Sequence, residues 1–182
     1  FKCDWSSDVC SSDLPTNVWA SALEFVTKTN ACEGATSKTN ALSRLSRFLF
    51  EDCDYQYDTW EGKSHFIDTN SPVFHLSWYI GASDSGARVN CFDQAHALSF
   101  LGRTAGVDSN IMVMNPFGYL NIVKLVGCGE SNNPFYNSSK ATVTSKICGT
   151  NNIDRTSFFQ HCFVLRAGMV FDACSGPALG DH

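Results

Sequence analysis

The spacing of apolar residues predicts amphipathic helices in the first third of the chain. In segment 15–28, the apolar residues that recur at helical intervals are Trp19, Ala22, Leu23, Phe25 and Val26. In segment 41–49, the apolar face consists of Ala41, Leu42, Leu45, Phe48 and Leu49. Both segments indicate helices that face the core, and neither carries candidate chemistry.

A third helix is predicted to begin at Cys91. The apolar residues of segment 95–101 recur at helical spacing, and Cys91 lies one turn before them on the same face. Asn90 is a favourable N-cap residue, and Asp93 three residues later is a shorter relative of the glutamate in a capping box. We therefore expect Cys91 to be the first residue of a helix.

The remaining apolar segments indicate mainly strands. Strands are predicted at 111–114, 120–126, 158–165 and 169–174, of which the last two form a β-hairpin. The run 73–80 fits either a strand or a short buried helix. Segment 128–155 is rich in Asn, Ser, Thr and Gly and is predicted to be a long loop, which a disulfide between Cys128 and Cys148 would hold in place. These patterns together predict an α+β fold with no internal repeat.

Composition excludes two classes of partner. The chain has 182 residues and a formal net charge of −5, with no basic block that could follow a phosphate backbone. No nucleic-acid partner is therefore expected. No apolar run approaches the roughly 18 to 20 residues of a membrane helix, so no membrane partner is expected either.

Residues 1–14 need separate treatment. The string from Asp4 to Leu14 has neither a helical nor a strand period, and it matches the conceptual translation of a short-read sequencing adapter. We therefore expect residues 1–14 to be a non-native scar and residues 15–182 to be one domain of a longer protein. The alternative is a natural amino-terminal loop rich in Ser and Asp.

The cysteines after residue 14 are odd in number. They are Cys32, Cys53, Cys91, Cys128, Cys148, Cys162 and Cys174. This count predicts up to three disulfides and one free thiol, which would be a candidate nucleophile. No CxxC spacing or paired histidine motif accompanies them, so neither a metal nor a cofactor is expected. With the glycosylation pattern Asn137-Ser138-Ser139, the cysteine content favours an exported protein, secreted or periplasmic.

Cys91 is the strongest candidate nucleophile, because the unpaired N–H groups at a helix start favour a thiolate. Its alternative role is a buried thiol or half of a disulfide. His161 is a better candidate base than His96, which a helix would rotate by about 140° away from Cys91. Asp172 on the following strand would orient the His161 imidazole. The alternative for His161 is a core histidine without chemistry.

The position of the hairpin turn decides whether His161 and Asp172 meet. A two-residue turn at Arg166-Ala167 pairs the two residues directly, and a turn at Ala167-Gly168 makes them diagonal neighbours on one face. A three-residue loop without a bulge would place them on opposite faces.

Three motifs in this order resemble the core motifs of transglutaminase-like cysteine enzymes. They are Asn90-Cys91-Phe92-Asp93-Gln94-Ala95, then Leu101-Gly102-Arg103-Thr104-Ala105-Gly106-Val107, and then His161-Cys162-Phe163-Val164 with Val170-Phe171-Asp172. The resemblance covers roughly 55–172. It implies a papain-like core, in which a helix headed by the nucleophile packs on an antiparallel sheet, and it implies the roles of nucleophile, base and orienting acid for Cys91, His161 and Asp172.

The chain departs from the family pattern at two points. The family commonly has a small residue and then Trp after the histidine, where this chain has Cys162-Phe163, and it commonly has Pro after the aspartate, where this chain has Ala173. These departures concern the neighbouring packing and the side of the site that receives the acyl acceptor. They remove none of the three catalytic side chains.

The resemblance implies acyl transfer on protein or peptide amides through a thioester on Cys91, with transamidation, deamidation or peptide hydrolysis as the result. The backbone N–H of Cys91 is one expected oxyanion donor. By analogy with relatives, the indole of Trp78 is a second, and core packing is the alternative for that residue. The competing hypothesis is a catalytically inactive binding or structural domain, which a disulfide at Cys91 would indicate.

Overall fold

The structure is a computed structural model. It describes residues 16–27, 31–68, 70–71, 73–115, 117, 123–131, 135–136, 155–156 and 158–176. The adapter-like residues 1–14, the glycosylation pattern at Asn137 and the proposed disulfide partner Cys148 lie outside this part of the chain.

The described residues combine helices with small sheets, which confirms the predicted α+β class. The helices are α1 (Thr16–Thr27), α2 (Lys38–Glu51), α3 (Leu76–Gly81) and α4 (Cys91–Thr104). The strands are β1 (Gln56–Tyr57), β2 (Arg88–Val89), β3 (Asn110–Met114), β4 (Val123–Leu125), β5 (Gly129–Ser131), β6 (Phe135–Tyr136), β7 (Arg155–Thr156), β8 (His161–Arg166) and β9 (Met169–Phe171).

The helices follow from local sequence signals. α2 begins after Ser37, whose side chain accepts a hydrogen bond from the backbone of Asn40. α4 begins at Cys91, as predicted, behind a complete capping box. The ambiguous run 73–80 forms the short helix α3, preceded by a single bridge between Ile67 and Phe74.

The largest described sheet has three antiparallel strands in the order β3-β8-β9. In its register Met114 lies opposite His161, and Val164 lies between Ile111 and Phe171. α4 packs along β8, and α2 packs on α4. Cys162 and Val164 on β8 and Leu98 on α4 are almost fully buried between these layers. Cys91, the first residue of α4, acts on His161, the first residue of β8.

Four predictions need correction. The predicted strand 120–126 is described as β4, which ends at Leu125 and pairs with β5. The predicted loop 128–155 contains strand residues at β5 and β6 and at the start of β7. The predicted strand 158–165 begins at His161, as β8, and continues to Arg166. The last predicted strand, 169–174, ends at Phe171, because the chain turns at Asp172, whose side chain accepts hydrogen bonds from the next backbone N–H groups.

The hairpin between β8 and β9 turns at Ala167-Gly168, one of the three connections that the sequence left open. Arg166 pairs with Met169 across it. Both turn residues have positive φ, 50° at Ala167 and 78° at Gly168. This combination is the type I′ turn, whose twist matches that of the flanking strands. Glycine suits such a backbone, whereas alanine is strained in it.

We expect the substitution Ala167→Asn to raise the free energy of unfolding by about 0.5 to 1 kcal/mol, because asparagine tolerates the left-handed backbone better than alanine. Gly168→Ala is the matched opposite. A β-carbon at Gly168 meets no heavy atom within 4 Å, so any loss of stability there reports backbone strain alone. Urea denaturation of both variants measures the two effects, and equal stabilities for the variants would contradict this account of the turn.

Candidate active site

The start of α4 holds Cys91 in a fixed position. The side-chain oxygen of Asn90 accepts hydrogen bonds from the backbone N–H groups of Phe92 and Asp93 at 2.9 and 3.1 Å. In turn, the Asp93 carboxylate accepts a hydrogen bond from the backbone N–H of Asn90 at 3.1 Å. The capping box predicted from the sequence is therefore complete, and it satisfies three backbone donors around the thiol.

The Asp93 carboxylate also ties this helix start to a loop that precedes it by almost thirty residues. It accepts hydrogen bonds from the Ser64 hydroxyl and from the backbone N–H groups of His65 and Phe66, the latter two at 3.0 and 3.1 Å. The Asn90 amide donates to the Gly62 carbonyl at 3.0 Å. The helix tip is thus fixed from outside as well as from within.

His161 and Asp172 meet as the sequence predicted. The imidazole Nε2 lies 2.6 Å from the Asp172 carboxylate, although the two residues are diagonal rather than direct neighbours. Because an ionised carboxylate only accepts hydrogen bonds, Nε2 carries the proton in this contact. The other ring nitrogen, Nδ1, takes no part in this contact.

Asp172 is itself held by the chain that follows it. Its carboxylate accepts hydrogen bonds from the backbone N–H groups of Cys174 and Ser175 at 2.8 and 3.1 Å, and from the Ser175 hydroxyl. Burial alone would raise the pKa of Asp172, but His161 and these donors together lower it below the usual range. Asp172 therefore remains a carboxylate beside the imidazole.

His161 is a strongly perturbed histidine. Burial would lower its pKa, but the charge and hydrogen bond of Asp172, together with the Cys91 thiol, outweigh this effect and raise the pKa to about 10. The site therefore favours the imidazolium form, the form that results when the imidazole accepts a proton from a thiol.

The Cys91 thiol lies close enough to His161 to act on the imidazole. It contributes to the raised pKa of His161 both by charge and by hydrogen bonding. Nδ1 itself is buried, and among the described residues it has no hydrogen bond of good geometry. We infer that the sulfur faces Nδ1 without being well aligned with it, which is common for catalytic contacts before substrate binds.

The backbone N–H of Cys91 differs from those of the next three residues. No described residue accepts a hydrogen bond from it, whereas the N–H groups of Phe92, Asp93 and Gln94 all have partners at Asn90. The role of this N–H as an oxyanion donor stays a prediction.

Aromatic rings surround the imidazole of His161. Its centroid lies 4.9 Å from that of Phe117 and 6.1 Å from that of Phe158. The ring centroid of Tyr57 lies 6.1 Å from that of Phe158. Burial, together with the nearby charges of Cys174, Cys91 and Asp172, raises the pKa of Tyr57. Cys91 and His161 are each only 3 % exposed. Bulk water therefore has little access to Cys91 and His161.

The structure does not bring Trp78 to the nucleophile. Its side chain is 65 % exposed, and its ring stacks on His75 with centroids 4.2 Å apart. This exposure also excludes the alternative considered for Trp78, which was packing in the hydrophobic core. The proposed oxyanion role of Trp78 therefore remains a prediction that no described contact supports.

His96 takes no part in the described site. Its Nδ1 donates to the Phe92 carbonyl at 2.8 Å, and its ring lies against Phe74 and Phe100. These contacts agree with the preference for His161 as the base, because a helical histidine five residues beyond Cys91 points elsewhere.

The prediction of a single free thiol is wrong. Cys91, Cys162 and Cys174 are all free and buried. Burial and the nearby charges of Cys91 and Asp172 raise the pKa values of Cys162 and Cys174 above the ordinary thiol range. These two thiols therefore stay protonated at neutral pH, and Cys91 alone has a base beside it.

Sequence reasoning missed two groups of residues. One is Ser175, for which the spacing from Asp172 was a usable signal, because aspartate commonly bonds to the N–H groups two and three residues later. The other is the aromatic set of Tyr57, Phe117 and Phe158, which no local pattern marks. Their place beside His161 follows only from the packing of distant segments.

No group of histidine, cysteine or acidic residues in the described part of the chain could hold a metal ion. The described residues likewise include no helix with the length and apolar character needed to cross a bilayer. Comparisons with protein-family models, with curated proteins and with solved structures find no match to the chain.

We predict that iodoacetamide near neutral pH alkylates Cys91 at least about tenfold faster than Cys162 or Cys174, because only the first has a base beside it. The three thiols are similarly inaccessible, with exposures of 3 %, 1 % and 0 %, so a rate difference reports thiolate character rather than access. Timed alkylation followed by mass spectrometry of the peptides measures the rates. Equal rates would show that Cys91 is not activated.

We also predict that stability falls as the pH rises from 6.5 towards 9. The pKa of His161 is raised from 6.5 to about 10, so its contribution is complete below pH 6.5 and is lost as the pH rises through this range. The window ends at the ordinary thiol pKa of 9.0, where buried cysteines begin to add their own dependence. Urea denaturation across this window should show a slope in the wild-type chain that His161→Gln largely removes. An unchanged slope in the variant would assign the dependence to other groups.

Proposed function

We propose that the chain is a cysteine-dependent acyl-transfer enzyme of transglutaminase-like type, acting on protein or peptide amides through a thioester on Cys91. The observation that carries this proposal is the meeting of three side chains from separate elements. Cys91 heads α4, His161 begins β8 and Asp172 directly follows β9. A capped thiol, a buried base and an orienting carboxylate together form the arrangement that activates a sulfur nucleophile.

In the proposed first half-reaction, Nδ1 of His161 already holds the proton of the Cys91 thiol, because the pKa of the imidazole is raised to about 10 and favours the imidazolium at neutral pH. The sulfur then attacks the amide carbonyl of the substrate, and the backbone N–H of Cys91 donates to the oxygen that becomes negatively charged. The imidazolium gives its proton to the leaving nitrogen, so ammonia or an amine departs and a thioester remains. Asp172 keeps Nε2 protonated throughout and stabilises the imidazolium.

In the second half-reaction, the neutral imidazole takes a proton from the acyl acceptor, which attacks the thioester and regenerates the thiol. With a primary amine as acceptor, the result is transamidation. With water, the result is deamidation of a glutamine or hydrolysis of a peptide. The burial of Cys91 and His161 among aromatic rings limits access of bulk water, which favours an amine acceptor.

The resemblance to the transglutaminase-like family also supports the proposal. It places the nucleophile at a helix start packed on an antiparallel sheet, with the histidine and the aspartate on neighbouring strands, and α4, β8 and β9 are arranged in this way. We accordingly propose a papain-like core. Cys162 and Ala173, where the chain departs from the family pattern, are both buried in the hydrophobic core.

The competing hypothesis was an inactive binding or structural domain, which a disulfide at Cys91 would indicate. The free thiol at this position favours the enzyme instead. A binding domain would also not need a histidine whose proton affinity is raised beside that thiol.

We expect Cys91→Ala to reduce ammonia release from a glutamine-containing protein by at least about 1,000-fold, as removal of a nucleophile does in other triads. Cys162→Ala is the matched control, because this thiol is equally buried and follows His161 in β8 but faces the opposite side of the strand and has no assigned role. We expect it to keep activity within about threefold. Release measured with and without a fluorescent primary amine, which the transamidation product would incorporate, distinguishes the two acceptors. Unchanged release in Cys91→Ala would refute the proposal.

A further inference from the structure

The outer strand of the three-stranded sheet lacks the usual protection of a sheet edge. β3 pairs with β8 on one side, and no described residue pairs with its other side. Natural edge strands are commonly protected by charged residues, proline or a bulge. The sequence of β3, Asn110-Ile111-Met112-Val113-Met114, contains neither a charged residue nor proline, and its register with β8 is unbroken.

The second half of β3 is apolar and exposed on both of its faces. Met112, Val113 and Met114 are 40 %, 47 % and 48 % exposed. Because successive strand residues point to opposite faces, three consecutive exposed residues leave both sides of the strand open. We call Met112, Val113 and Met114 the β3 edge. Such a run is a site for another strand to pair rather than an ordinary surface.

The β3 edge adjoins the candidate active site. Met114 lies directly opposite His161, and Met112 lies opposite Phe163, whose ring centroid is 6.2 Å from that of His161. Directly opposed residues of an antiparallel pair share a face, so the two methionines lie on the same face as the catalytic imidazole. Phe159, two residues before His161, is 73 % exposed and adds apolar surface near the same end of β8.

We propose that the β3 edge binds an extended, apolar segment of the protein substrate by β-strand addition, and that this segment presents a glutamine side chain across Met114 towards His161 and Cys91. The proposal rests on the proposed function and specifies its substrate as a glutamine within a strand-forming, uncharged sequence. Neighbouring strands are spaced about 4.8 Å apart, so the backbone of the added strand lies about 10 Å from that of β8. At this separation a long side chain, rather than the peptide bond, is the group that approaches the site.

The binding step can be tested without catalysis. The Cys91→Ala protein is titrated with a fluorescent nine-residue peptide that has a central glutamine and alternating valines, and binding is followed by anisotropy. The matched probe is the same peptide with N-methyl groups on alternate backbone nitrogens, which cannot form strand hydrogen bonds along that edge. Methylation of at least one of the two alternate sets should weaken binding about tenfold or more. Equal binding of both methylated peptides and the parent peptide would overturn the proposal.

Two valines provide a matched pair of variants in the same protein. Val113 in the β3 edge and Val73, which lies outside the three-stranded sheet before α3, are both 47 % exposed. Val113→Lys should weaken binding of the unmethylated peptide about tenfold, because it places a charge on the pairing strand. Val73→Lys makes the same change of charge and should alter binding less than twofold. Similar effects of the two substitutions would also overturn the proposal.

Two further results separate this proposal from its alternatives. If the peptide binds as expected but the wild-type chain releases no ammonia from it, the proposed acyl transfer fails while strand addition at β3 stands. If sedimentation shows that the wild-type chain dimerises without peptide and that Val113→Lys abolishes the dimer, the edge is occupied by a second copy of the chain. That outcome would refute a substrate at this edge.

Discussion

The buried carboxylate of Asp93 is the contact on which the position of the nucleophile depends. It joins the backbone of Asn90 to a loop that contributes Ser64, His65 and Phe66. A carboxylate that is fully buried is costly unless its oxygens are satisfied, and here they accept four hydrogen bonds. The same four contacts fix the first turn of α4, so the thiol that follows Asn90 has little freedom to move.

A second carboxylate, that of Asp172, fixes the position of His161. Asp172 is held by two backbone N–H groups and by Ser175, and it in turn holds the Nε2 side of His161. The raised proton affinity of His161 is a consequence of this arrangement, because burial alone would act in the opposite direction. The carboxylates of Asp93 and Asp172 therefore have different roles. One positions the sulfur, and the other positions and charges the imidazole.

The neighbourhood of the sulfur explains why three thiols in one region need not be equivalent. Cys162 and Cys174 are as buried as Cys91, but burial and nearby negative charge keep them protonated. Cys91 differs in having both an imidazole and the open backbone N–H of a helix start beside it. In the proposed mechanism, the groups that face the sulfur, rather than its exposure, set the reactivity of Cys91. The β3 edge would then decide which substrate reaches that sulfur.

The sequence by itself determined the features that depend on residues close together in the chain. The capping box at Asn90 and Asp93, the helix starting at Cys91 and the strand at β3 follow from spacings of a few residues, which is the range over which helix and strand signals act. The same spacings predicted the β8–β9 hairpin, and either two-residue turn placed His161 and Asp172 on one face, but a three-residue loop stayed open as an alternative. Only the tertiary structure selected the turn at Ala167-Gly168, exposed Trp78, enclosed His161 between aromatic rings and left three thiols free. These outcomes depend on segments up to a hundred residues apart, whose packing is settled by burial and by competition among many partners rather than by any local pattern.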